Sequence, residues 1–427
     1  MVALMKTGPD GMECRGADTK EELIRQKDKI LAAMSEIDAD VFGLMEIEND
    51  RIGPPSDYAV ADLVAGLNAI VGAGTYDYIS TGAIGTDAIK VALLYKPASV
   101  TPVGDYEILD STVDSRFIDT KNRPTLAQVF EDKLTGETFT VAVNHLKSKG
   151  SDCDDLGDPD LGDGSGNCNL TRLAAAEAMV DWLADETVFS QVDNVLIIGD
   201  LNAYDKEDPI DAIKLGPDDT PSTDDDYFDM IHEILGDDAY GYVFDGKVGY
   251  LDYALASTSL MDNILDVAIW HINADEPDII DYDMSFKQDA QDALYEPDKY
   301  RSSDHDPVII SLRLNEGPTA VDDVYETDQD VTLDVPAPGV MANDSDPNPN
   351  DILWVDVKTE PSHGELTLND DGSFTYVPDP GFFGVDTFEY YLLALPPEMR
   401  SDYMDIGLVT ITVNPKYQFF VPLVIND

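Results

Sequence analysis

Positive charge is what this chain has least of. Its 427 residues include 26 Lys and Arg against 86 Asp and Glu, a formal net charge of −60. That excludes a basic face gripping a phosphate backbone; a polyanionic substrate would have to be approached through bound cations. The acidity reads first as a solvated surface, of a kind that suits secretion into salty or calcium-rich water. Long apolar runs are also missing, so no segment spans a bilayer. The start, Met1 to Lys6, lacks the basic opening and apolar core of a signal peptide. Cysteines number three. Cys153 and Cys168 bracket a polar, Gly/Asp-rich loop and read either as a disulfide formed in an oxidising compartment or as two free thiols. Cys14 is left over. A G-x-S-x-G elbow is absent, which excludes the usual serine hydrolase; "DGSGN" at 163–167 follows no strand. No Cys/His spacing suits zinc.

What is there points to folded domains. Hydrophobic residues make up 43%, which excludes wholesale disorder, and the length predicts two or three domains. Thr19-Lys20-Glu21-Glu22 is a capping box, and Leu23, Ile30, Met34 and Ile37 follow at helical spacing, predicting a helix over 19–37. Residues 57–71 return to that spacing. "VFGLMEI", "IKVALLYKP", "TFTVAVNH", "DNVLIIGD", "YLDYALAS", "VAIWHI" and 308–312 read as strands, and "LTRLAAAEAMVDWLA" as a helix. Strands alternating with helices predict a layered α/β domain of about 300 residues. From "NEGPTAVDDVYET" onward, past Glu316-Gly317-Pro318, short β runs at regular spacing predict an all-β sandwich. The domains are expected at 1–314 and 315–415, with an apolar tail at 416–427.

Four polar clusters fall where a strand ends, the place where α/β proteins assemble sites. Glu46 stands inside the apolar run "GLMEIEN", either bound to a metal or facing solvent from an edge strand. Asn144 and His145 end "TFTVAVNH", with Lys147 and Lys149 beyond. Asp200 and Asn202 follow a buried run, sharing a face if the strand continues or forming an Asx turn if it does not; Asp205, Glu207 and Asp208 read as surface turn. Asp252 lies in "GYLDYALAS", and "SSDHDPVII" supplies Asp304, His305 and Asp306. An imidazole between carboxylates can serve as a base near neutral pH, and Asp306 reads as a turn residue before Pro307. Five histidines occur in the whole chain, and two are at such strand ends. Carboxylates, an amide and two imidazoles suit Mg²⁺- or Ca²⁺-assisted attack of water on a phosphate ester.

The ordered motifs "GLMEIEN", "NHLKSKG", "GDLNAYDKEDP", "GYLDYALAS", "WHINADEP" and "RSSDHDP" resemble the endonuclease/exonuclease/phosphatase superfamily, over residues 13–314, and within it the branch of secreted bacterial nucleases. The resemblance implies a four-layer α/β sandwich, two mixed sheets face to face with helices outside, and a small all-β sandwich after it. It implies metal binding by Glu46 and Asp304, with Mg²⁺ or Mn²⁺ as the ion. It implies contact of His145 with the scissile phosphate, orientation of water by Asp200, and phosphate positioning by Asn202. It pairs Asp252 with a catalytic His305. Arg123 in "NRPTLAQVF", with Asn144, would contact substrate, the alternative for Arg123 being a surface salt bridge; Asp87 in "GTDAIKV" would support the first histidine.

The C-terminal part resembles cadherin-like bacterial immunoglobulin-type repeats, in which Asp344, Asp346 and Asp351 would bind Ca²⁺ or form ion-free Asx turns. The family opens with a strand carrying a metal-binding Asn. Only twelve residues precede Glu13 here and none reads as that strand, so the chain is expected to be truncated at its start. Together these features predict a secreted or cell-surface phosphodiesterase hydrolysing DNA, with RNA as a further substrate and no obligate protein partner. The alternatives are a phosphoesterase for lipid or sugar phosphates and a non-catalytic adhesive protein.

Overall fold

The computed structural model describes residues 16–17, 19–49, 57–185, 188–189, 194–261, 263–314, 317–348, 351–394 and 404–416. Cys14, the expected missing first strand, Glu316 at the expected boundary and all but the first residue of the apolar tail lie outside them. The chain divides into two compact units, residues 1–133 with 138–313, and 134–137 with 314–427.

In the first unit, Thr19 caps α1 (Lys20–Ile37). Its hydroxyl accepts from the Glu22 N–H while the Glu22 carboxylate accepts from the Thr19 N–H, the reciprocal box its sequence predicts. Leu31 and Met34 of α1 meet Val60, Leu63, Val64 and Leu67 of α2 (Tyr58–Val71). Together they cover Phe42, Ala92 and Leu94 of the sheet below. That sheet is antiparallel, with β1 (Val41–Glu48) at one edge, β3 (Ile89–Tyr95) central and β2 (Asp77–Tyr78) at the other edge.

A six-stranded mixed sheet faces it. Its strands are β4 (Val100–Leu109), β5 (Arg123–Asp132), β6 (Thr138–His145), β7 (Val195–Asp200), β8 (Tyr227–Asp229) and β11 (Asp252–Ser257), in the order β4-β5-β6-β7-β11-β8. Only β6 and β7 run parallel; the other neighbours are antiparallel. Strands buried on both faces read as near-continuous apolar runs, and that is why β3, β6, β7 and β11 were legible. The two sheets approach closely at Gly43, where a Cβ would come within 2.4 Å of Ile198 Cδ1 and 3.2 Å of Val143 Cγ2. α3 (Asn169–Leu183) packs along α4 (Asp208–Lys214), which lies on β8. Two antiparallel pairs also belong to the unit: the hairpin of β9 (Tyr242–Phe244) with β10 (Lys247–Gly249), and β12 (Ile264–Ile269) with the distant β13 (Val308–Leu312).

Two sequence expectations need correction here. β4 and β5 are absent from the sequence expectation because a proline stands in each, Pro102 and Pro124; in β5 the register shifts between Arg123 and Leu126, a bulge that accommodates the missing N–H. The strand expected over "VAIWHI" ends at Ile269, because Asp306 captures the N–H groups of Ile272, Asn273 and Ala274 and turns the chain.

The second unit is all β. One sheet has the order β14-β20-β19-β16, from β14 (Asp323–Asp328), β16 (Trp354–Thr359), β19 (Gly384–Leu393) and β20 (Met404–Asn414). The other has the order β15-β18-β17, from β15 (Leu333–Val335), β17 (Gly364–Leu368) and β18 (Phe374–Pro378). Phe374, Tyr376, Phe388, Tyr390, Val409 and Ile411 fill the space between them. Asp344 accepts from the Val321 N–H and the Tyr390 hydroxyl, and Asp346 accepts from the Asn348 N–H in an Asx turn. The Asp351 N–H donates to the Asn348 carbonyl. Among the described residues, no group of three or more His, Cys, Asp and Glu side chains comes together as a metal cage.

Candidate active site

The register of the six-stranded sheet aligns four polar residues in one row. Arg123 of β5 pairs with His145 of β6, His145 with Asp200 of β7, and Asp200 with Asp252 of β11. Each is the terminal residue of its strand, so the row lies along one edge of the sheet. His145 Nε2 is 3.6 Å from Asp200 Oδ2. Gly199, with φ +112°, permits this alignment: a Cβ there would lie 2.2 Å from the Asn144 carbonyl oxygen.

Asp200 and Asn202 do come together, but not by strand periodicity. β7 stops at Asp200. The Asn202 N–H donates to Asp200 Oδ1 at 2.8 Å and its Nδ2 donates to Oδ2 at 2.8 Å, while φ of Asn202 is +49°. The Asx turn and the candidate catalytic pair are one structure. Asn202 also donates to the Leu146 carbonyl, tying β7 to the exit of β6.

His305 Nδ1 lies 2.5 Å from Asp252 Oδ2, and the Tyr242 ring rests against the imidazole at 4.4 Å. Burial pushes the Asp200 carboxyl up, the Asp252 charge pushes further, and Glu46 adds to it while His305 opposes, leaving Asp200 at about 7. Burial alone would lower His305; Asp252, then Asp200 and Asp304, reverse this and raise it to about 10.

Glu46 takes the second of its two expected settings, facing solvent from an edge strand. It lies at the bulge between Leu44 and Ile47, has φ +57°, and is exposed on a strand that is an edge among the described residues. A bulge re-aims a side chain, and the Glu46 charge acts on both Asp200 and Tyr282. Asp304 is exposed at the turn before His305, and its charge acts on His305 and Tyr242.

Asn144 is not placed to touch substrate. Its side chain is fully buried, accepting from the Thr125 hydroxyl at 2.6 Å and donating to the carbonyls of Ala142 and Ile198. Successive residues of a strand face opposite ways, so His145 looking into the site puts Asn144 in the core. Arg123 is not on the surface either. It is buried, its Nε lies 3.1 Å from Asp87 Oδ2, and its Nη1 donates to the Leu146 carbonyl. Asp87 therefore reaches the row through Arg123. Glu207 is no loose turn residue: it is half-buried and bonded to Lys149, whose ammonium sits 4.4 Å from the Tyr204 ring centroid.

The Cys153–Cys168 disulfide is formed. Beside it the buried Arg172 donates to the carbonyls of Lys147, Asn167 and Ser165, so the loop leaving His145 is fixed. Asp306 is the largest correction. It is 1% exposed; its Oδ1 accepts from three backbone N–H groups and its Oδ2 lies 2.9 Å from His271 Nδ1. No local pattern announces this role, because its donors lie more than thirty residues earlier.

A family model described as the Endonuclease/Exonuclease/phosphatase family matches residues 8–313. The chain belongs to this family. A bacterial cadherin-like domain matches residues 315–393. Among solved structures, a mannosyl-6-phosphatase of Bacteroides thetaiotaomicron is 16% identical, covering 68% of this chain and 91% of its own, with a TM-score of 0.44. The human Nocturnin catalytic domain is 15% identical over 58% of this chain and 77% of its own, with a TM-score of 0.39. Truncated Caenorhabditis elegans TDP2 is 14% identical over 68% and 90%, with a TM-score of 0.40. No curated protein matches significantly. The first unit is thus an endonuclease/exonuclease/phosphatase fold, that of a phosphoester hydrolase, followed by a cadherin-like domain. No helix among the described residues is long and apolar enough to cross a membrane.

Proposed function

We propose that this protein is an extracellular or cell-surface phosphodiesterase that hydrolyses nucleic acid with the help of a divalent cation. The observation that carries the reading is the row His145–Asp200–Asp252 with His305 bonded to Asp252 beside it. Asp200 and Asn202 orient the attacking water and the phosphate. His305, held by Asp252, takes the proton from water, and His145 donates to the oxygen on which charge develops.

The donor chemistry fits a hard cation. Glu46, Asp200, Asp252 and Asp304 are all oxygen donors and act on one another or on His305 as surplus negative charge. Glu46 and Asp304 would hold the ion, which when bound supplies Lewis-acid polarisation of the phosphate. With that negative charge offset, Asp200 and His305 both titrate lower, toward the carboxylate and the neutral imidazole that the proton transfer needs. The Cys153–Cys168 bond and the cadherin-like domain support a location outside the cell.

A plasmid-nicking assay with Mg²⁺ or Mn²⁺, with and without EDTA, tests the reading: nicking is expected with the ion and none in EDTA. Full nicking by His305→Ala would sink it. The net charge of −60 favours a second reading, a small lipid or sugar phosphate as substrate. A panel comparing plasmid, single-stranded DNA, phospholipid and sugar phosphate decides between them.

A further inference from the structure

The segment "YGYVF" leads into the β9–β10 hairpin with aromatic rings at alternate positions, Tyr240, Tyr242 and Phe244. Tyr240 stacks on His271 with centroids 4.4 Å apart and planes 16° from parallel. Tyr242 lies against His305 at 4.4 Å, and Phe244 stacks over Tyr242 at 6.3 Å and 11°. The outer ring is in water: Phe244 is 64% exposed. Single exposed apolar residues are ordinary. A row of three whose middle ring lies against the candidate catalytic imidazole is not single, and it is braced from behind. Asp306 holds His271, and the Tyr240 hydroxyl donates to Asp275 at 2.6 Å.

We propose that Tyr240, Tyr242 and Phe244 form a stacking platform on which successive bases of single-stranded nucleic acid lie as the strand enters the active site. The proposal rests on the phosphodiesterase reading and names its substrate class. Base stacking on aromatic rings adds affinity that does not depend on positive charge in the protein, and it tolerates any base because every base has a π-face. The platform is continuous with the site through Tyr242. Lys247 faces Phe244 across the hairpin and supplies the one cation at its tip among the described residues 240–249. Affinity gained this way responds little to salt, unlike affinity gained by phosphate pairing.

The test is steady-state cleavage, with Mg²⁺, of a short single-stranded DNA and of an equally long strand of tetrahydrofuran abasic sugars, at low and high salt. The pair Tyr240→Ala/Phe244→Ala is compared with the ring-keeping pair Tyr240→Phe/Phe244→Tyr. On the base-bearing strand the alanine pair is expected to raise KM roughly tenfold or more at either salt, with kcat within about twofold, and the ring-keeping pair, which loses only the Tyr240–Asp275 hydrogen bond, to keep KM within about threefold of wild type. On the abasic strand wild type and the alanine pair share one KM. A wild-type KM for the alanine pair on the base-bearing strand overturns the platform, as does an equal rise on the abasic strand. Wild-type protein that cleaves neither strand overturns the phosphodiesterase reading itself, a different result from cleavage that ignores the platform.

Discussion

His305 and Asp306 are neighbours in the chain and belong to two different histidine–aspartate pairs. Asp252–His305 has carboxylates on every side: Asp200 and Asp304 both act on the imidazole, whose side chain is only 21% exposed. Asp306–His271 is the reverse. Its carboxylate is saturated by three backbone N–H donors, and its imidazole is 42% exposed. The same two side chains therefore do different things. A buried carboxylate whose oxygens are filled by backbone donors is a strut that holds a turn. One that shares its space with other carboxylates and a single imidazole belongs to a cluster whose members shift one another's titration, as Asp200 and His305 are shifted here. Asp386 of the second unit belongs with the struts, accepting from the N–H groups of Ser362 and His363 and from the Tyr376 hydroxyl.

The difference between the pairs can be broken experimentally. His305→Ala should cut kcat/KM for nucleic acid by about 10³–10⁴ while leaving Tm nearly unchanged, because the role proposed for it is proton transfer. Asp306→Ala should do the opposite. It strands three N–H groups and His271, costing about 3–5 kcal/mol and lowering Tm by roughly 5–10 °C, while protein that remains folded keeps most of its turnover. Asp252→Asn should lower kcat/KM roughly a hundredfold, with the acid limb of the pH–rate profile moving down as His305 loses the charge that raises it.

Asp200 offers a finer discrimination, read by thermal melts without metal. Its carboxyl is raised from the usual 3.8 to about 7, so the folded protein binds the extra proton in that window. Stability should fall as pH rises through it, and Asp200→Asn should remove that part of the slope. Adding Mg²⁺ should flatten the slope in wild type. The smallest effect is expected from His271→Phe, which keeps a ring under Tyr240 and loses one hydrogen bond. A cost of about 0.5–1.5 kcal/mol and activity within about threefold of wild type would place His271 among the supports.

Much of the fold was legible because strands covered on both faces leave long apolar runs, and because Thr19 and Glu22 spell out a helix start. His145, Asp200, Asp252 and His305 were legible for the same reason: the first two close such a run, Asp252 opens one and His305 stands just before one. What the letters could not carry was direction. "NH" at 144–145 does not say which of the two faces the core. Glu46 is re-aimed by a one-residue bulge that no periodicity records. Asp306 looked idle because its donors at 272–274 are remote in sequence. Tyr240, Tyr242 and Phe244 stood at an obvious alternate spacing, yet only the fold sets that spacing beside His305.

Gly199 has a consequence for variation. Its Cα lies so close to the backbone of Asn144 that even a methyl group would collide with a carbonyl oxygen 2.2 Å away, and its φ of +112° penalises any other residue. The position works as a spacer gauge between β6 and β7, fixing how far apart His145 and Asp200 can be. A lineage is free to redraw its surface charge, but it cannot exchange this glycine without also respacing the two residues it separates. Among relatives that keep the histidine and the aspartate, residue 199 should be the letter that does not drift, and a relative pairing both with a larger residue there would show that the gauge is adjustable after all.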